Sequence, residues 1–439
     1  MKRSVHWFHR FSIIALALAS SFQLLAVDLE SKPSDPFFAK FEPIKAPALD
    51  GLLLKRGDRL AIIGDSITEQ KMYSRIIETY LTVCVPELEI STRQLGWSGE
   101  TAEGFLRRMT NDCLRFKPTI ATTCYGMNDH RYRAYDDAIG NWYRENYSAV
   151  ARALKSTGAR VILGSPGCVG RTPRWAPDTN AAVEDLNLNL SQLRNIDIGI
   201  AEQEKIHFAD VFWPMLTASF DAHQKFGSDY AVAGKDGVHP DWAGHLIMAY
   251  AFLKAMGLNG DLGTFTVDLS ANKASATGAH KIDGFADNTV SITSRQYPFC
   301  AVGPADKDNS LRSGMTLVPF NSELNRLKLV VKGGKAANYS IAWGNETRTY
   351  SAAQLARGVN LAEDFAVNPF SEAFALVDSA VANKQKYETR QIKELFHGAE
   401  SKADPDGIAA VTEKTRRPMV KKIASEFVPV KHTIRIQPQ

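Results

Sequence analysis

Between Arg59 and Gly257 short apolar runs alternate with amphipathic stretches, and this alternation constrains the fold more than any other feature of the chain. "RLAIIG", "LEISTRQLG", "PTIATTCYG", "ARVILGSP" and "IHFADVF" read as five buried strands. The segments between them have helical spacing. In "EQKMYSRIIETYLTV", for example, Met72, Ile76, Ile77 and Tyr80 share one face. Strands alternating with helices predict an α/β fold, a parallel sheet covered on both faces. Function in such sheets gathers at the carboxyl ends of the strands.

After Gly260 the pattern changes. Short strands and Gly- or Asn-containing turns predict a β-rich module over residues 261–365. Helical spacing returns over 366–400, with Phe374, Val377, Val381, Tyr387 and Ile392 as apolar positions. Residues 401–439 are charged and poorly patterned and read as a tail that is partly mobile. Residues 27–54 are Pro-rich and read as an extended lead-in to a domain over 55–260.

Residues 1–26 read as a signal peptide, which predicts a secreted or periplasmic protein with no stable membrane insertion after cleavage. Lys2, Arg3 and Arg10 precede an apolar run from Phe11 to Ala19 that is too short to span a bilayer. The 52 Lys and Arg of the whole chain less these three, set against 48 Asp and Glu, leave a net charge of +1. Scattered basic residues of that balance give no nucleic-acid footprint. The five cysteines, Cys84, Cys113, Cys124, Cys168 and Cys300, fall in no metal-binding spacing and read as small buried hydrophobes. Export would permit a disulfide among them, with the pairing left open.

Four loops at the predicted sheet edge carry candidate chemistry. Ser66 in "GDSIT" follows the first strand as a possible nucleophile, or as a cap of the next helix. Gly96 in "LGWSGET" follows the second, as a backbone donor or as an ordinary turn glycine. Asn128 in "GMND" follows the third, as an uncharged oxyanion donor or as a turn residue beside a capping Asp129. His239 in "DGVHP" offers a base, and Asp236 three residues earlier can orient its ring; the pair could instead be a loop histidine with a helix-capping Asp236 or Asp241. Together they supply a nucleophile, two hydrogen-bond donors and an acid–base pair, the parts list for acyl transfer.

On these four blocks the chain resembles the GDSL or SGNH hydrolase family. The resemblance covers about residues 55–258, and it implies a flavodoxin-like three-layer α/β/α sheet and a serine ester hydrolase. It implies Ser66 as nucleophile, His239 as general base and then acid, and Asp236 as its orienting carboxylate. The Ser66 amide, Gly96 and Asn128 would form the oxyanion hole. No metal or other cofactor is expected. Asp65 is a candidate for steadying the Ser66 turn, and Trp97 and Arg131 are candidates for lining the acyl or sugar pocket. His207 reads as a strand residue. His245, six positions after His239 on a helix, faces away and forms no metal pair with it.

The expected substrate is a small-molecule or polysaccharide ester, with acyl (acetyl) groups on carbohydrate preferred because of export, the lack of a hydrophobic lid segment and the added β-rich module. Lysophospholipase or lipase-type activity and thioesterase activity are the alternatives within the same chemistry. A non-catalytic glycan-binding scaffold, or a β-rich module that itself binds sugar, is the alternative of a different class.

Overall fold

A computed structural model describes residues 28–48 and 51–439. The expected signal peptide at 1–26 lies outside the described residues. Five strands, β1 (Arg59–Gly64), β2 (Ser91–Gly96), β3 (Ile120–Cys124), β4 (Arg160–Gly164) and β5 (His207–Ala209), form one parallel sheet in the order β2-β1-β3-β4-β5. That is the flavodoxin-like order, with the crossover point between β1 and β3. Around it lie α1 (Ser66–Glu69), α2 (Tyr73–Val83), α3 (Ala102–Asp112), α4 (Asp137–Ser156), α5 (Val183–Glu204), α6 (Phe212–Phe226) and α7 (Trp242–Ala255). The sequence reading passes over α6. Its Pro214 stands in the first turn, where a missing N–H costs nothing.

Ile62, Ile76, Ile77, Tyr80 and Phe252 belong to the core on one side of the sheet; Ile63, Phe105, Tyr143 and Leu154 belong to the core on the other. Both faces are therefore dry, and β1 and β4 carry only apolar residues and glycine after their first arginine. All five cysteines are buried free thiols, consistent with packing residues and without a disulfide among them. Among the described residues no helix is long and apolar enough to cross a membrane.

The remaining strands are β6 (Asp261–Asp268), β7 (Lys273–Ala276), β8 (His280–Ala286), β9 (Thr289–Ser294), β10 (Arg326–Lys332), β11 (Asn338–Trp343), β12 (Glu346–Ser351), β13 (Val359–Asn360) and β14 (Val430–Pro438). They make one sheet of order β13-β10-β6-β7 and another of order β12-β11-β14-β9-β8. The helices on this side are α8 (Leu311–Gly314), α9 (Phe320–Leu324), α10 (Ala352–Arg357), α11 (Leu361–Asp364), α12 (Ser371–Arg390), α13 (Ala399–Ala403) and α14 (Pro405–Glu426). Here the structure departs from the expected irregular tail. Residues 405–426 are one helix, and β14 is the middle strand of its sheet, paired antiparallel with both β9 and β11. The sheet begun within 261–365 is thus completed by residues from the far end of the chain. Its core is continuous with that of the parallel sheet, and the Tyr80 ring of α2 packs tilted against Phe299 and edge-on against Phe320.

A chain of buried polar groups joins these two sheets. The Trp343 indole can only donate, and it donates to His432 Nδ1 at 3.1 Å. His432 must then carry its proton on Nε2, which lies 2.9 Å from Ser294 Oγ. The Ser294 hydroxyl donates in turn to His280 Nδ1 at 2.7 Å, and His280 Nε2–H donates to the Leu262 carbonyl at 2.7 Å. The donor-only indole thus fixes His432 as the neutral Nε2–H tautomer, and burial likewise lowers the His280 pKa. Burial, with a smaller contribution from His280, pushes His432 down to about 3. A depressed histidine stabilises the fold fully above its unfolded value of about 6.5, and that contribution is lost as pH falls. His432→Leu removes the titrating group. The stability gap between wild type and this variant should narrow by about 2 kcal/mol from about pH 6.5 to about pH 5. Urea unfolding at the two pH values checks this; parallel pH profiles would contradict it.

β2 is an edge strand of the parallel sheet, and its outward N–H and C=O groups need partners. They come from α12 and α14. Glu388 Oε2 accepts the Gln94 N–H at 3.1 Å, and Lys384 Nζ and Arg416 Nη2 donate to the Thr92 carbonyl at 2.7 and 2.8 Å. The charges are matched among themselves. Lys384 reaches Glu78 at 3.0 Å and Glu388 at 2.8 Å, and Arg416 reaches Glu388 at 2.6 Å. Burial opposes the charge on Glu388, but Lys384, Arg416 and Arg93 outweigh it and hold the carboxyl below its ordinary value. The C-terminal helices thus close the edge of the sheet next to the strand that ends at Gly96.

Candidate active site

β1 ends at Gly64, and the chain turns at once into the single-turn helix α1. Asp65 is the N-cap: its Oδ1 accepts the Ile67 N–H at 2.9 Å. Ser66 is therefore not the cap, as one reading of the sequence allowed, but the first helical residue. Its hydroxyl is left for other partners, at a helix start where backbone N–H groups favour negative charge. Asp65 is buried, and burial pushes its carboxyl up to about 7, aided by Asp129 and Glu100 and opposed by the Ile67 N–H.

The loop before α7 brings the histidine. Asp236 Oδ1 accepts the N–H groups of Val238 and His239, both at 2.9 Å, which folds the loop back on itself. Its Oδ2 lies 2.8 Å from His239 Nδ1, and His239 Nε2 lies 2.8 Å from Ser66 Oγ. Burial raises the cost of charge on Asp236, yet the His239 and Val238 N–H groups and the His239 ring outweigh it and hold the carboxyl below its usual range. The carboxylate therefore stays ionised beside the imidazole. Asp241 caps α7 through its bond to Trp242 N at 2.8 Å, so the capping role falls to Asp241 and Asp236 is left for the ring. Gly234 in this loop has φ +85°, and an added Cβ would lie 1.7 Å from the His239 carbonyl oxygen. Only glycine lets the two ends of the loop meet there.

Gly96 ends β2 against α1. A Cβ on it would stand 2.2 Å from Glu69 N and 2.5 Å from Thr68 C. The Trp97 N–H bonds to Gly64 O at 3.0 Å, so strand alternation turns the Gly96 N–H away from β1. Asn128 follows β3. Its Nδ2 donates to Glu100 O at 3.0 Å and to Asp65 Oδ2 at 3.4 Å, and its Oδ1 accepts from Tyr132 at 3.2 Å. The long 3.4 Å bond is weak, leaving one amide proton available to a stronger acceptor.

Two of the weaker candidates have other neighbours. Trp97 is enclosed by the His397 ring at 5.0 Å, the Arg108 guanidinium at 5.1 Å and Lys393 Nζ at 5.4 Å. Arg131 is exposed and lies over the Trp142 ring at 4.9 Å. The sequence reading missed Trp175, whose indole is 45% exposed and stands 5.6 Å from the His239 ring and 6.2 Å from the Tyr132 ring. It lies in a loop with no periodicity, so only its aromatic character marks it. His245 is a core residue. It accepts the Tyr73 N–H at 3.3 Å and pairs with Gln70 Oε1 at 3.1 Å, and burial pushes it down to about 3.

Residues 62–247 match the GDSL-like Lipase/Acylhydrolase family. Over 219 residues, 46% of this chain and 94% of the relative, the chain is 27% identical to an acetylxylan esterase of Geobacillus stearothermophilus. Among solved structures, a gut microbial diltiazem-metabolizing enzyme is similar over 88% of this chain and 98% of its own, with TM-score 0.71 and 21% identity, a likeness of fold. The structure of an acetylxylan esterase from Geobacillus stearothermophilus matches 47% of this chain and 97% of its own, at 24% identity and TM-score 0.38.

Proposed function

We propose that this chain, an ester-bond hydrolase whose residues 62–247 are a GDSL-like lipase/acylhydrolase domain, removes acetyl groups from carbohydrate through an acyl-enzyme on Ser66. The observation that carries the reading is the hydrogen-bonded line Asp236–His239–Ser66, with both links at 2.8 Å. Gly96 packs against α1, the turn that Ser66 begins, and Asn128 Nδ2 lies 3.4 Å from Oδ2 of Asp65, the residue before Ser66, which supports them as the oxyanion donors.

In this reading His239 Nε2 takes the Ser66 proton as Oγ attacks the ester carbonyl carbon. The carbonyl oxygen gains negative charge, and the N–H groups of Ser66 and Gly96 and the free proton of Asn128 receive it. The tetrahedral intermediate collapses, and His239 gives its proton to the departing sugar oxygen. Water then attacks the acyl-enzyme with His239 again as base, releasing acetate and restoring Ser66 Oγ–H. Asp236 keeps the Nδ1–H tautomer and stabilises the imidazolium at each step. Residues 55–260 carry this chemistry, and residues 261–439 brace it. Export directed by residues 1–26 would deliver the enzyme to extracellular polysaccharide.

Carbohydrate is favoured by the exposed Trp175 indole beside the imidazole, a flat apolar face for a sugar ring. The likeness to an acetylxylan esterase points the same way. Four substrates test the choice: p-nitrophenyl acetate, acetylated xylan, a lysophospholipid and an acyl thioester. Acetate release from the first two is expected, with kcat/KM at least tenfold above the others. Cleavage confined to lysophospholipid or thioester would overturn the carbohydrate assignment.

A further inference from the structure

We propose that Lys393, on the π-helical turn Gln391–Leu395 outside the hydrolase domain, is a positioning residue for the oxyanion site, acting through Glu69 on the backbone that flanks Gly96. The inference rests on the hydrolase reading above. Lys393 Nζ lies 2.8 Å from each carboxylate oxygen of Glu69. Glu69 is the last residue of α1, the same single turn that begins with Ser66. Its Oε2 accepts the Ser98 N–H at 2.6 Å and the Ser98 hydroxyl at 2.7 Å. The two side chains are 19% and 29% exposed, half-withdrawn from water, so the pair is screened less than a surface pair. Burial works against the Glu69 charge, but the bonds from Lys393 and Ser98 prevail and hold its carboxyl below the ordinary range.

The same C-terminal segment holds β2 on the other side of Gly96. Glu388 accepts the Gln94 N–H at 3.1 Å, Thr389 donates to Gln94 Oε1 at 3.1 Å, and Gln94 Nε2 donates to the Thr68 carbonyl at 2.7 Å. Gly96 is thus bracketed at residues 94 and 98 by groups anchored on α12 and the turn after it. Both brackets also touch α1, which carries the nucleophile. A backbone N–H stabilises an oxyanion only if its aim is fixed before charge develops. Gly96 has no side chain to fix it, so the aim must come from its neighbours. Lys393 has a second effect. It neutralises a carboxylate three residues from Ser66, which would otherwise oppose the negative charge of the transition state.

Steady-state hydrolysis of p-nitrophenyl acetate tests this with Lys393→Met, Lys393→Arg, Glu69→Gln and the Lys393→Met/Glu69→Gln double variant. For Lys393→Met, kcat should fall about tenfold with KM within about twofold, the pattern of an interaction that matters in the transition state. Binding of a boronic acid, which places a tetrahedral anion on Ser66, should weaken by a similar factor. Lys393→Arg should recover most of the loss, and the double variant should be no worse than Lys393→Met alone. An unchanged kcat in both Lys393→Met and Glu69→Gln, with wild type active, overturns the inference alone. So does a loss of kcat that only tracks a fall in melting temperature and is not rescued by arginine. A wild-type enzyme inert toward every ester overturns the hydrolase reading and this inference with it.

Discussion

Ser66→Ala should lower kcat for p-nitrophenyl acetate by a factor on the order of 10^4 to 10^6, with little change in melting temperature. The hydroxyl makes one bond, to His239 Nε2, and removing it leaves no charged group buried without a partner. In the proposed mechanism the cost is chemical, because without Oγ there is no acyl-enzyme. His239→Ala should cost a similar factor. An unassisted serine hydroxyl is a weak nucleophile at neutral pH, and the departing alkoxide would leave unprotonated. The sharper expectation concerns the double variant. Groups that act as one unit are not additive, so Ser66→Ala/His239→Ala should be about as slow as either single variant. Burst kinetics with p-nitrophenyl acetate separate acylation from deacylation, and wild type alone should show a burst. A Ser66→Ala enzyme within tenfold of wild type would remove Ser66 from the mechanism.

Gly96→Ala is the second large effect, and it arises from packing. The new methyl would meet backbone atoms, Glu69 N at 2.2 Å and Thr68 C at 2.5 Å, and backbone has no alternative rotamer to adopt. α1 must shift away from β2, and Ser66 shifts with it. Overpacking of this kind costs about 1–3 kcal/mol of stability. The kinetic loss should be larger, about 10^2- to 10^3-fold in kcat, because a displaced Ser66 and a re-aimed Gly96 N–H both degrade the transition state. Circular dichroism melting and kcat on the same preparation check the two parts together. A folded Gly96→Ala enzyme with kcat within threefold of wild type would mean that the two backbones separate without consequence.

The Gly96 example shows what kind of information a sequence holds. The glycine was visible as a strand-ending residue, but the contact that requires it comes from Thr68 and Glu69 of another loop. The capping of α1 is a similar case. Ser and Asp are both good caps, and only the backbone dihedrals and the Ile67 bond assign the role to Asp65.

What the sequence by itself determined is local and periodic. Apolar runs alternating with 3.6-residue spacing predict the parallel sheet, because burial on both strand faces and on one helix face leaves those periods in the chain. Ser66, Gly96, Asn128 and the Asp236–His239 pair stood out because each follows or adjoins a predicted element at the edge where such sheets do chemistry. Tertiary structure alone decided the rest. β14 does carry the alternation of a half-buried strand, with Lys431, Thr433 and Arg435 exposed and His432, Ile434 and Ile436 buried, but the charged residues before it mask so short a run and only the fold supplies its partners. Its place between β9 and β11 depends on strands more than 80 residues away in sequence. Lys384, Glu388 and Lys393 look like the solvated face of an ordinary helix, and they become edge caps and a strap only because β2 and α1 lie opposite them. A charge run carries no mark of its partner in its own sequence. Charge and hydrogen-bonding capacity are properties of the residue, whereas satisfaction is a property of what the fold sets beside it.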